Sequence, residues 1–282
     1  MNLSGKAKLA GVLGWPIGHS LSPALHGFWI AEHGLDAAYV PLPVEPQHFD
    51  MALSALPRLG FSGVNITLPH KLRAFQLSDE LDDAARATGS VNTVVFDGAK
   101  VLGRNTDVPG YLSSLDDAGA GQMKGKIVVV LGAGGAARGI VFGLLSRGAH
   151  QVLVVNRTRS KSDALVSFFG SPVAAIGWPD LTAALTGCDL LINATSLGMQ
   201  GQSGLDIDLS HLKPSAIVSD IVYRPLETAL LADARRRGHK CVEGMGMLLH
   251  QARPGFAAWF GLEPRVSPEL RHHLVSVLEG AG

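Results

Sequence analysis

The sequence predicts an α/β protein in two units, an N-terminal α/β unit followed by a doubly wound parallel sheet, with a cleft between them. Three observations carry that expectation. At 282 residues the chain is long for one hydrophobic core, since cores stop growing at roughly 250 to 300 residues. Short β-branched runs alternate with amphipathic stretches, the pattern of βαβ units. One of those runs enters a glycine-rich turn that opens directly into a helix-like stretch.

In the first hundred residues, strand-like runs fall at Leu9 to Leu13, Ala38 to Val44, Gly63 to Thr67, Ser90 to Phe96 and Val101 to Gly103. In the second half they fall at Lys126 to Leu131, Gln151 to Asn156, Val173 to Gly177, Asp189 to Ala194, Ala216 to Val222 and Lys240 to Glu243. Gly119, Gly121 and Gly125 mark the end of a connecting helix and a turn, so the junction is expected between Asp107 and Gly125. A last helix around Met247 to Phe260 is expected to return to the first unit. The expected division is therefore residues 1–107 joined by a helical segment 246–282, against residues 108–245.

Composition narrows the function classes. Lys plus Arg equals Asp plus Glu at 24 each, so no basic field exists to gather nucleic acid or anionic lipid, and a small-molecule partner is expected. Hydrophobic residues at 46% allow a full core. Nowhere do about 18 uncharged apolar residues run together, and Gly11, Gly14 and Pro16 break the N-terminal apolar stretch before a signal core forms. Cys188 and Cys241 have neither metal-ligand nor disulfide spacing and read as buried apolar fillers in a reducing compartment. A cytoplasmic protein without a metal, monomeric or homodimeric, is the expectation.

The turn after the Lys126 to Leu131 run reads Gly132-Ala133-Gly134-Gly135-Ala136-Ala137-Arg138. In a strand–turn–helix setting this is a dinucleotide fingerprint of the Rossmann type: Gly132 for the tight turn, Gly134 for close approach of backbone amides to a pyrophosphate, Ala137 for helix–strand packing. A bare strand-to-helix turn would need only part of it. The next strand ends in Asn156-Arg157-Thr158-Arg159-Ser160-Lys161, with no acid to hold a ribose 2′-hydroxyl. Arg157 with Lys161, and Arg159 beside them, suits a 2′-phosphate instead. The expected cofactor is NADP. Without an anion bound there, such charge at a helix start would oppose the macrodipole.

Three polar clusters follow strand-like runs in the first unit: Gly18-His-Ser-Leu-Ser-Pro23, Asn65-Ile-Thr-Leu-Pro-His-Lys71, and Asn92-Thr93 with Gly103-Arg-Asn-Thr-Asp107. Strand ends of α/β sheets face ligand crevices, so these groups suit a polyhydroxylated anionic substrate. Carbonyl reduction needs a hydride and a proton, or its electrostatic equivalent, at the developing alkoxide. Lys71 supplies the second, and Asp107 orients it. His19, His26 and His70 rank below Lys71, since His19 and Ser22 read as capping groups of the helix that begins near Ser22-Pro23.

These motifs, together with Gly14-Trp-Pro-Ile-Gly-His-Ser-Leu-Ser-Pro23, Asn193-Ala-Thr195, Gly198-Met199 and the run from Gly244 through Gln251, resemble the shikimate 5-dehydrogenase family almost end to end. The resemblance implies NADPH-dependent reduction of 3-dehydroshikimate to shikimate in aromatic amino-acid biosynthesis. It implies that Ser20 and Ser22 bind the substrate carboxylate, and that Asn65, Thr67, Asn92, Asp107 and Gln251 hold its hydroxyls and keto group. Lys71 and Asp107 are then the catalytic pair, Tyr223 reaches the substrate, and Ile221 and Gly244 lie near the nicotinamide. Gly27, Lys161 and Pro254 depart from the family pattern, and Pro254 is expected to interrupt the last helix. The alternatives are a quinate/shikimate dehydrogenase paralogue and a redox-inactive NADP-sensing protein. The serine pair and the Asn-Arg-Thr loop weigh against the first, and retention of both Lys71 and Asp107 against the second.

Overall fold

The computed structural model describes residues 3–280. They form two compact units, one of residues up to Thr106 together with those from Gln251 onward, the other Asp107–His250.

The first unit runs β1 (Lys8–Gly14), α1 (Ser22–Glu32), β2 (Ala37–Pro43), α2 (Phe49–Ala55), β3 (Phe61–Ile66), α3 (Lys71–Leu77), β4 (Glu80–Leu81), α4 (Asp83–Thr88), β5 (Thr93–Asp97) and β6 (Lys100–Arg104). Its six strands are ordered β2-β1-β3-β5-β6-β4. The β1 strand lies parallel to β2 and β3, whereas β5 runs antiparallel to both β3 and β6. The reversal is local. Asp97 pairs with Lys100 across Gly98-Ala99, and Gly98 takes a φ of 58°, a left-handed conformation a tight hairpin demands and glycine adopts at no steric cost. One face of the sheet packs Leu13, Val64, Ile66 and Val94 against Phe49, Leu53 and Ala74. Each fully buried aliphatic side chain there contributes roughly 1.5–3 kcal/mol.

The second unit runs α5 (Asp107–Asp117), β7 (Ile127–Leu131), α6 (Gly135–Ser146), β8 (Gln151–Val155), α7 (Arg159–Phe169), β9 (Val173–Ile176), α8 (Leu181–Gly187), β10 (Leu190–Asn193), β11 (Ile217–Asp220), α9 (Ala229–Arg236) and β12 (Lys240–Val242). Its sheet is ordered β12-β11-β10-β7-β8-β9, parallel throughout, which is the doubly wound order with its switch point between β7 and β10. Such a sheet is covered on both faces, so its strands are apolar on both sides. Val128 and Val130 face one core with Ile140 and Leu144 of α6. Val129 and Leu131 face the other with Leu185 of α8 and Leu231 of α9.

The helix α10 (Gly244–Phe260) begins in the second unit, and its residues from Gln251 onward belong to the first, as does α11 (Pro268–Gly280). The Trp259 indole N–H donates to the Val94 carbonyl at 2.9 Å, filling the space left by Gly63, where a Cβ would stand 2.1 Å from that indole nitrogen.

Three expectations need correction. The α10 helix continues through Pro254 without interruption; only one backbone donor is lost there, and Ala252 and Phe256 on either side are fully buried. Ser22 is the first helical residue of α1, not its cap: Leu21 holds that position without a side-chain bond. The Ser20 hydroxyl accepts from the Ser22 N–H instead. Cys241 is half-buried, while Cys188 is fully buried. The two-residue strand β4 is too short for any period-2 signal and was invisible in the sequence. Among the described residues, no helix is long and apolar enough to cross a membrane.

Candidate functional site

Sheet polarity gathers the polar motifs of the first unit along one edge. The β1 and β3 strands run parallel and end at Gly14 and Ile66. Because β5 is antiparallel to β3, it starts at that edge, with Thr93 opposite Asn65, and β6 then ends there with Arg104 opposite Thr93. Thus Ser20 and Ser22 after β1, Thr67 and Lys71 after β3, Asn92 before β5 and Thr106 after β6 share one rim of the sheet. Lys71 is half-buried and opens α3, where its own carbonyl accepts from the Val91 N–H at 3.1 Å.

A continuous hydrogen-bond network fixes this rim. The Asn92 amide nitrogen donates to the Thr106 hydroxyl at 2.9 Å and to Gln251 Oε1 at 3.3 Å, and its oxygen accepts the Thr106 N–H at 2.7 Å. Asn65 donates to the Asn92 carbonyl at 3.3 Å and to the Thr93 hydroxyl at 3.1 Å, and accepts from the Tyr39 hydroxyl at 2.6 Å. The Asn92 carbonyl only accepts, so the orientation of the Asn65 amide is determined by its neighbours. Beside it, His26 is stacked on Tyr39 at 4.0 Å and 8° within a cage completed by Trp29, Phe256 and Trp259. Neither His26 ring nitrogen has a partner in hydrogen-bond geometry. Burial drives its pKa down to about 3, against a weak opposing influence of the Asn65 side chain, and it is neutral at any ordinary pH.

Close packing makes Gly14 necessary at the same rim: a Cβ there would lie 2.4 Å from the Thr67 methyl carbon. Thr67 N–H in turn donates to the Leu13 carbonyl at 2.9 Å. His70 is not a free acid. Its ring stacks on Phe49 at 4.4 Å and bonds the Val44 carbonyl at 2.7 Å, and burial lowers its pKa.

In the second unit the glycine turn has the geometry a dinucleotide requires. Gly132 sits at φ 107°, and a Cβ there would approach the Ala194 carbonyl oxygen to 2.8 Å. Gly134 is the N-cap of α6 with no side-chain cap and opens on space, with nothing within 4 Å of a Cβ built on it. The first-turn amides of Gly135, Ala136 and Ala137 have no helical carbonyl ahead of them, the kind of group that receives a pyrophosphate at a helix start. Ala133 lies in the turn itself, and Ala137 is fully buried against the sheet.

After β8, the Asn156 side chain donates to the Thr158 carbonyl at 2.8 Å and shapes the loop. Arg159 pairs with Asp163 at 2.8 Å, so it is partly committed. Arg157 and Lys161 are exposed, and among the described residues neither forms an ion pair. Two cations at the start of α7 thus remain for an anion, which fits NADP. Gly244 lies against the backbone of Ile221 and Val222, with a Cβ 2.4 Å from the Ile221 carbonyl oxygen, so glycine is required where Ile221 and Gly244 meet. Tyr223 is half-buried in the following segment. Among the described residues, no group of three or more His, Cys, Asp or Glu side chains is placed to hold a metal ion.

Tyr39 was not singled out from the sequence, and Thr93 and Thr106 stood in its polar clusters without a role of their own. Thr106 had a usable signal, since it stands inside the Asn-Thr-Asp motif, whereas Tyr39 lies in an ordinary strand run and only the fold brings it to Asn65.

Residues 12–94 match the family described as the shikimate dehydrogenase substrate binding domain, and residues 115–199 match shikimate / quinate 5-dehydrogenase. The shikimate dehydrogenase (NADP(+)) of Methylobacterium radiotolerans is 53% identical over 274 residues, covering 95% of this chain and 97% of that protein. Among solved structures, the Thermus thermophilus shikimate 5-dehydrogenase in complex with NADP(H) and shikimate superimposes with a TM-score of 0.85 at 34% identity, covering 97% and 99% of the two chains. The Corynebacterium glutamicum quinate dehydrogenase in complex with NAD gives 0.88 at 31% identity over 96% and 99%. On identity and coverage of this extent, the chain belongs to the shikimate dehydrogenase family.

Proposed function

We propose that this protein catalyses the reversible, NADP-linked reduction of 3-dehydroshikimate to shikimate. The observation that carries the cofactor half is the loop after β8, where Arg157 and Lys161 replace the acid an NAD site needs and pair with no carboxylate among the described residues. The substrate half is supported by the amide and hydroxyl rim around Asn65, Asn92 and Thr106, whose donors and acceptors suit a ring bearing several hydroxyls.

In this reading Ser20 and Ser22 take the substrate carboxylate, and Asn65, Thr67, Asn92 and Gln251 take the ring oxygens, with Tyr223 as a further substrate contact. Lys71 donates to the carbonyl oxygen as negative charge develops on it, which lowers the barrier most in a water-poor site. Asp107 orients the Lys71 ammonium and accepts from a substrate hydroxyl. The dinucleotide, when bound, supplies the hydride. Gly132 to Ala137 hold its pyrophosphate, Asn156, Arg157, Thr158 and Lys161 its 2′-phosphate ribose, and Ile221 with Gly244 borders its nicotinamide. The balanced charge supports small-molecule partners rather than nucleic acid or membrane; a cytoplasmic enzyme, monomeric or homodimeric, belongs to the same reading.

The test is a paired absorbance assay of NADP and NAD reduction with shikimate and, separately, quinate. Activity confined to shikimate with NADP is expected. Preference for quinate or NAD would move the protein to the quinate branch of the family, and no activity with either would support a cofactor-sensing role.

A further inference from the structure

Asp220, the last residue of β11, is 1% exposed and carries a dense set of bonds. Its carboxylate accepts from the Val222 N–H at 2.9 Å, the Thr228 hydroxyl at 2.7 Å and the Asn193 amide at 3.0 Å. Asn193 ends the neighbouring strand β10; its oxygen accepts both the N–H and the hydroxyl of Thr195, at 3.1 and 2.7 Å, and its amide also donates to the Leu197 carbonyl at 3.0 Å. Thr228 is the N-cap of α9. One carboxylate therefore joins the loop after β10, the segment after β11 and the start of a helix.

That arrangement is costly. Burial pushes the Asp220 carboxyl up to about 6, and among the described residues no cation pairs with it. Three donors converge on it, and only an acceptor with several lone pairs satisfies all of them. The segment it holds is the one that carries Ile221 and Tyr223. Its backbone is also fixed from the other side by the Ile221 N–H, which donates to the Asn193 carbonyl at 3.1 Å, and by contact with Gly244.

We propose that Asp220 is a positioning residue for the nicotinamide end of the cofactor, acting through the 221–223 segment and the Asn193–Thr195 loop. It touches neither hydride nor substrate; it sets where Ile221 and Gly244 stand. The inference rests on the NADP reading above, and the two fail differently.

The experiment titrates full-length wild type and Asp220→Asn with NADP+ and with adenosine 2′,5′-bisphosphate, which lacks the nicotinamide, and records thermal midpoints in parallel. The variant is expected to bind NADP+ about tenfold more weakly and to turn over more slowly by a similar factor. Its affinity for the bisphosphate stays within about twofold of wild type, since Arg157 and Lys161 are untouched. Equal losses for both ligands, or none for either, would overturn the positioning role. Should the variant not fold, Thr228→Val removes one of the same donors and is judged by the same comparison. Wild type that binds neither ligand would instead refute the NADP reading.

Discussion

The Asn92 side chain holds Thr106 by both of its atoms, taking the Thr106 N–H at 2.7 Å and giving a hydrogen bond to the Thr106 hydroxyl at 2.9 Å. The residue before β5 is thereby locked to the second residue after β6, the one that precedes Asp107. Asn92→Ala leaves the buried Thr106 N–H without its acceptor, at about 1–3 kcal/mol. It also removes the hydrogen bond to Gln251 Oε1. The expected result is a lower thermal midpoint together with at least a tenfold fall in kcat/KM for shikimate. A variant with lowered stability but unaltered kinetics would limit Asn92 to holding the sheet rim.

Lys71→Ala separates catalysis from binding. If its ammonium stabilises the developing alkoxide, kcat falls by roughly 10²–10⁴, while the Kd for NADPH, measured by fluorescence, is unchanged. Unaltered turnover would remove Lys71 from the mechanism.

The two glycines of the dinucleotide turn respond in opposite ways. Gly132→Ala meets both a φ of 107° and a carbonyl oxygen at 2.8 Å, so it destabilises the second unit by about 1–3 kcal/mol or more. Gly134→Ala has an extended backbone and open space around its Cβ, so the thermal midpoint of the free protein stays near that of wild type. If the pyrophosphate approaches this turn as proposed, the added methyl group stands in its way. NADPH should no longer raise the midpoint.

If Arg157 holds the 2′-phosphate, Arg157→Ala removes charge-assisted hydrogen bonds, which contribute about 1.5–3 kcal/mol each, from that group alone. NADPH affinity is expected to fall by roughly ten- to a hundredfold with NADH affinity hardly changed. Equal losses would mean that the loop is not read by the 2′-phosphate.

The parts of the site legible in the sequence are those whose signal is local. The turn from Gly132 to Ala137 and the basic loop after β8 each lie within a few residues, and the polar motifs at strand ends follow from strand polarity once strands are recognised. What stayed hidden depends on strand neighbours. Asn193 and Asp220 are 27 residues apart and meet only because β10 lies beside β11, an adjacency that hydrophobic periodicity does not encode. His26 draws its cage from α1, β2 and α10, and no window along the chain contains all three. Ser22 shows the converse: its residue type suits a cap, yet Ser20 accepts its N–H.

His26 also gives the folded protein a defined acid response. Its pKa is about 3 when folded, against 6.5 for an exposed histidine. Below pH 6.5 the unfolded chain takes up a proton that the folded chain refuses, so the unfolded state binds more protons and stability falls as the pH drops from 6.5 toward 3. The loss reaches a few kcal/mol at about 1.4 kcal/mol per unit. Asp220 works the other way over part of that range: its carboxyl is raised from 3.8 to about 6, so the folded state holds the extra proton and gains stability as the pH falls from about 6 to 3.8. His26→Phe keeps an aromatic ring against Tyr39 and removes only the first effect. Thermal midpoints of the two proteins should therefore diverge in favour of the variant as pH is lowered from 7 to 4.5. Parallel curves would mean that His26 takes up its proton over the same pH range in the folded and the unfolded chain, and that burial does not shift it.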